Sequence, residues 1–91
     1  MRMLFSPQVN NKDTLTYEFI VDKIIVTLNG EVDEFDFTDM PDGRADNIES
    51  HLTINPVQQA YKINGVLHVI LLNFIDGNAT EEERFPDWIE V

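Results

Sequence analysis

The chain has no cysteine, so neither a disulfide framework nor a thiolate metal site is open to it. Bases are scarce too: six Lys and Arg stand against seventeen Asp and Glu, for a formal net charge of −11. Affinity for nucleic acid rests on Lys and Arg neutralising phosphates, so direct nucleic-acid binding is disfavoured, and an anionic membrane surface with it. Long apolar runs are missing; none approaches the ~20 residues that cross a bilayer. The opening MRMLFSPQVNNKD holds too short an apolar core for a secretory signal, which points to the cytoplasm. Glycine and proline number four each, few enough that each position says something about a turn.

What is present suffices for one core. The 91 residues are 43% hydrophobic and include one Trp, two Tyr and six Phe. That argues against disorder and for a single domain spanning residues 1–91. The most apolar stretch is Val57 to Ile75, VQQAYKINGVLHVILLNFI. Asn64-Gly65 lies inside it, and a type I′ turn needs the positive φ that Asn and Gly tolerate. Pairing across a two-residue loop sets Ile63 opposite Val66, Tyr61 opposite His68 and Val57 opposite Leu72. The second arm carries Val66, Ile70 and Leu72 on one face and Leu67, Val69 and Leu71 on the other. Apolar residues on both faces mark an interior strand covered on both sides.

The remaining segments read mostly as strands. Met1 to Phe5 is a short opening strand ended by Ser6-Pro7. Leu15, Tyr17, Phe19 and Val21 alternate with polar residues, as a half-buried strand does. Asp22-Lys23 connects tightly into Ile24 to Leu28, and Asn29-Gly30 turns the chain into Glu31 to Phe37. A two-residue loop there pairs Leu28 with Glu31, Val26 with Asp33 and Ile24 with Phe35, mixing acids with apolar residues on one face. A bulge near Asp33-Glu34 would let Phe35 and Phe37 reach the core. Met40-Pro41-Asp42-Gly43 has the form of a type I turn, and Leu52 to Asn55 should be extended ahead of Pro56. Thr80-Glu81-Glu82-Glu83 has the form of a capping box, stopped by Pro86. The expected fold is mainly β: a small antiparallel β-sandwich or partly open barrel of six to seven strands, with one short C-terminal helical turn.

Chemistry-bearing motifs are few. Glu31 to Glu49 holds eight carboxylates and one base, Arg44. An EF-hand anchored on Gly43 would need acids where Thr38 and Met40 stand, so that pattern fails. Within the segment Asp36, Asp39, Asp42, Asp46 and Glu49 form either a solvated rim or an acidic patch for a basic protein partner. His51 and His68 are the only histidines, and no nucleophile elbow or zinc-protease helix accompanies them. No cofactor and no catalytic residue is expected. Trp88, with Phe85 and Ile89, either packs back on the sheet or docks on a neighbouring subunit, which would make a homo-oligomer.

The segments FDFTDMPDG (35–43), INP (54–56), NGVLHVILLNFI (64–75) and ATEEERFPDW (79–88) resemble small uncharacterised proteins encoded in phages and prophages of Gram-positive bacteria. The resemblance implies a phage gene product in the cytoplasm of a bacterial host, or one associated with the virion. The expected role is a non-enzymatic accessory or minor structural component acting through protein–protein contacts, with Asp36, Asp39, Asp42, Asp46, Glu49 and Trp88 as candidate contact residues. The −11 charge also allows a nucleic-acid-mimicking inhibitor of a host nuclease or DNA-binding protein, which would need carboxylates in regular rows over one face.

Overall fold

The computed structural model describes all 91 residues. The chain runs as β1 (Arg2–Val9), β2 (Leu15–Ile20), β3 (Lys23–Leu28), β4 (Glu31–Asp36), β5 (Gly43–Arg44), β6 (Val57–Ile63), β7 (Val66–Ile75), the one-turn helix α1 (Glu81–Arg84) and β8 (Ile89–Glu90). Two sheets result, one ordered β5-β6-β7-β1-β8 and the other β2-β3-β4. The fold is therefore mainly β, in two packed layers, with eight strands of which two are only two residues long.

Alternation explains the core. Ile24, Val26 and Leu28 point one way from β3 and are buried, while Lys23, Ile25 and Thr27 between them are only partly covered. They meet Leu67, Val69 and Leu71 of β7 together with Met3, Ala60, Val57, Leu52 and Phe35. This shared apolar layer is what holds the sheets together, since area removed from water is the main favourable term. The opposite face of β7 is less covered than the sequence implies. Leu72 is buried at its far end, but Val66 is 40% exposed and His68 and Ile70 are half-buried.

Both Asn-Gly turns have the expected form, with positive φ at Asn29, Gly30, Asn64 and Gly65. The first hairpin runs in regular register, Leu28 opposite Glu31, Val26 opposite Asp33 and Ile24 opposite Phe35, and the bulge expected near Asp33-Glu34 is absent. It is not needed, because Asp33 shares the face of buried Phe35 at the sheet edge and is satisfied there by the Ser50 hydroxyl, which donates to it at 2.8 Å. The irregularity falls instead in the second hairpin, between Val57 and Gln59, so that Val57 sits opposite Leu71 rather than Leu72. There the Leu72 N–H donates to the carbonyl of Pro56 at 2.8 Å.

Four other expectations are corrected. The opening strand does not stop at Ser6-Pro7 but continues to Val9, paired in parallel with β7 from Arg2–His68 to Val9–Ile75. Backbone groups alternate sides along a strand. Asn10 N–H donates to Ile75 and Met1 accepts from Val91, so the odd-numbered residues of β1 face away from β7. Pro7 is one of them, and its missing N–H costs no ladder bond. The connection from β2 to β3 is Val21-Asp22 rather than Asp22-Lys23, and it places Val21 in the left-handed region at φ 54° and 80% exposed. The turn expected at Met40–Gly43 lies three residues earlier, at Phe37–Met40, closed by Met40 N–H on the Phe37 carbonyl, and Gly43 belongs to β5. Leu52 to Asn55 is bent rather than extended: Leu52 drops into the core, and Asn55 bonds the Ile48 carbonyl and the Val57 N–H through its side chain.

Two polar ties cross between the sheets. The Tyr17 hydroxyl of β2 donates to the Leu72 carbonyl of β7. Lys62 of β6, only 7% exposed, donates from Nζ to the Thr38 carbonyl at 3.1 Å and lies 3.5 Å from Asp22. At the C-terminal end the capping box forms as expected, Thr80 and Glu83 each bonding the other's backbone N–H.

Two outcomes follow for stability. A β-branched residue at positive φ costs roughly 1–2 kcal/mol, partly offset in a Gly replacement by unfolded-state entropy. Val21→Gly should therefore raise stability by about 0.5–1 kcal/mol and Gly65→Val lower it by about 1–2 kcal/mol, as opposite shifts in melting temperature. Burial also pushes the Tyr17 phenol above its ordinary value of 10.0. The folded state keeps that proton where the unfolded chain releases it, so stability must fall as pH rises past about 10. In urea titrations Tyr17→Phe should cost about 1 kcal/mol at neutral pH and flatten that alkaline decline.

Candidate functional site

The carboxylates of the acidic loop have separate hydrogen-bonding duties. Asp36, at the end of β4, accepts from both the backbone N–H and the hydroxyl of Thr38. The side-chain bond from Thr38 is the main reason its carboxyl is held below the usual range. Asp42, just before β5, accepts from both turn residues of the β6–β7 hairpin beside it, Asn64 N–H at 2.9 Å and Gly65 N–H at 2.8 Å. Glu49 accepts from the Asn47 amide. Asp39 and Asp46 are exposed and make no side-chain hydrogen bond or ion pair. Of the five carboxylates singled out from sequence, two fasten turns belonging to different sheets.

The histidines lie in different settings. His51 Nδ1 is 3.5 Å from Asp33 Oδ1, and the Ser50 hydroxyl donates to Asp33 Oδ2 at 2.8 Å. Ser and His thus share one carboxylate side by side, which is not the serine-to-histidine-to-aspartate relay that activates a nucleophile. No three His, Asp or Glu side chains converge to hold a cation.

The second histidine belongs to the most distinctive surface of the molecule. Register places Arg44, Tyr61, His68, Arg2 and Glu90 on successive strands in one row across the outer face of the five-stranded sheet. The Arg44 guanidinium lies 6.0 Å from the centre of the Tyr61 ring. Tyr61 and His68 stack at 5.0 Å with an interplanar angle of 6°. Trp88 folds back and sets its ring edge-on to both, 6.4 Å from Tyr61 and 5.6 Å from His68. Arg2 pairs with Glu90 at 3.6 Å, closing the far end of the row, whereas Arg44 has no acidic partner. Ile63 and Val66, 54% and 40% exposed, extend the surface towards the hairpin tip. On a chain so acidic, a face with two arginines, three rings and exposed aliphatics stands apart.

Trp88 was singled out from sequence and takes its place here, packed on its own sheet. His68 was noted from sequence as a strand histidine without a catalytic motif, whereas Arg44, Tyr61 and Arg2 were not expected at a site. Tyr61 opposite His68 was readable from the hairpin register, and could have raised the alarm. Arg44 and Arg2 could not be placed, because their strands pair only through a two-residue edge and a parallel crossing.

Beside Arg44 lies an open cleft of about 280 Å³ lined by Arg44, Ala45, Asp46, Ile48, Asn55, Val57, Gln58 and Gln59. The β6 irregularity forms part of its wall. Its walls hold one carboxylate and no histidine. No helix is long and apolar enough to cross a membrane. No family model, curated protein or solved structure matches this chain.

The divided duties of the carboxylates can be checked directly. Asp42→Ala should lower stability by about 1 kcal/mol, because two turn N–H groups lose a charged acceptor. Asp39→Ala, which removes no bond, should change it by less than about 0.5 kcal/mol. Equal effects by chemical denaturation would contradict this assignment.

Proposed function

We propose that this chain is a non-enzymatic binding protein, a phage-related accessory or minor structural component, that holds a protein partner on the outer face of its five-stranded sheet. The observation that carries this reading is the Arg44–Tyr61–His68–Trp88 row with Ile63 and Val66 beside it. Tyr, Trp and Arg dominate the energetics of protein interfaces: the aromatics bring a large rigid surface with a polar group, and Arg a planar fork of donors. The face has an aromatic and aliphatic middle and a charged rim at Arg2 and Glu90, the usual anatomy of such a contact. A fitting partner offers an apolar surface with an acidic group opposite Arg44. On this reading the acidic loop keeps the protein soluble and fastens its turns, and only Trp88 of the residues expected from sequence contributes to contact.

The test is recovery of partners by tagged protein from prophage-induced cells, with variants deciding the surface. Trp88→Ala and Tyr61→Ala should each weaken capture of the same partner by roughly 30-fold, the cost of losing one dominant contact. Asp39→Asn with Asp46→Asn should leave it unchanged. The reverse pattern would move the contact to the acidic loop.

A further inference from the structure

Sheet edges are exposed rows of unpaired N–H and C=O groups, and proteins that remain single protect them. Three of the edges here are protected. In the five-stranded sheet the outermost strands, β5 and β8, are two residues long. Inside β8, the rest of the β1 edge presents Pro7, which cannot donate. In the other sheet β4 carries Glu31, Asp33, Glu34 and Asp36 within six residues, so an antiparallel copy of itself would set at least one acid opposite another in every register that pairs most of the strand.

β2 has none of these devices. Leu15 to Ile20 contains no proline, glycine, lysine or bulge, and its only charge is Glu18. The Asn29 N–H donates to the Thr14 carbonyl at 2.8 Å, which fixes the even-numbered residues as those bonded to β3. The backbone groups of Leu15, Tyr17 and Phe19 therefore point away from the sheet and have no partner within the chain. Next to this edge Ile20 is 47% and Val21 80% exposed.

We propose that β2 is the seam of a homodimer, in which the β2 of a second copy adds antiparallel about a twofold axis at Tyr17. A twofold contact must be self-complementary, and this strand is. The axis sets Tyr17 opposite Tyr17 of the other copy and Leu15 opposite Phe19, each pair exchanging two backbone hydrogen bonds. On the solvent face it sets Glu18 opposite Thr16, so the one acid of the strand meets a hydroxyl and not its own copy. The two sheets of three strands join into one of six. The aromatic face lies on the other sheet and stays free, so this seam stands or falls independently of the partner surface proposed above.

Thr16 is exposed and is the position to alter. Sedimentation equilibrium of the full chain, from about 1 µM to about 1 mM and with salt near 0.5 M to screen the shared negative charge, should show reversible dimerisation. Thr16→Glu brings two like-charge pairs into the seam and should weaken association roughly tenfold, while Thr16→Lys faces Glu18 and should strengthen it. Far-ultraviolet circular dichroism of both variants should match the wild type, since the exposed Thr16 side chain faces only Thr27 across the strand and makes no hydrogen bond in the single chain. A wild type that stays monomeric throughout would overturn the proposal. So would Glu and Lys variants that associate equally.

Discussion

Burying Lys62 obliges the rest of the molecule to come to it. Its ammonium projects from the inner face of the five-stranded sheet, where apolar residues surround it, and a charge left there alone would cost several kcal/mol. Relief comes from two places on the other side: the Asp22 carboxylate at the β2–β3 turn and the Thr38 carbonyl just beyond β4. Apolar contact by itself would let the sheets slide, because the hydrophobic effect has no direction. The ammonium has one, and so does the Tyr17 hydroxyl at the Leu72 carbonyl. These two contacts fix how the small sheet lies on the large one, and thereby which face of the large sheet remains uncovered.

Local signals in the sequence were read well where the physics is local. Two Asn-Gly turns, the Thr80 capping box and the buried Leu67–Leu71 alternation all depend on neighbours within a few residues. What escaped depends on distant ones. Pro7 looked like the end of a strand because proline withholds a donor, yet whether that donor is needed turns on which side of β1 faces β7. Val21 continued an alternating pattern into what proved to be a turn, since nothing in a valine announces positive φ. Asp33 opposite Val26 seemed to demand a bulge. An edge strand with Ser50 and His51 at hand satisfied the carboxylate without one.

The candidate site shows the same division. Acidic residues clustered in sequence and drew attention as a patch, but proximity along a loop is not proximity of duty. Asp42, beside β5, fastens the β6–β7 hairpin of the five-stranded sheet, and Asp36 closes its own turn at the end of β4. The arginines and rings of the aromatic row are scattered from residue 2 to residue 88 and meet only because five strands bring them to one level. A parallel pairing and a two-residue edge strand supply two of those meetings, and neither has a signature in a single sequence.

The parallel contact between β1 and β7 also bears on how fast the protein can reach its native state. Each tight hairpin can close within microseconds on its own. Arg2 and His68, however, lie more than sixty residues apart in the chain and are neighbours in the sheet, and no hairpin brings them together. Pairing the first strand with β7 therefore carries the entropy of closing a loop of more than sixty residues. A topology this rich in distant pairings belongs with those that fold in milliseconds to seconds. Until that pairing forms, Met3, Leu4 and Phe5 of β1 have no strand beside them, because β8 as well as β7 comes from the far end of the chain.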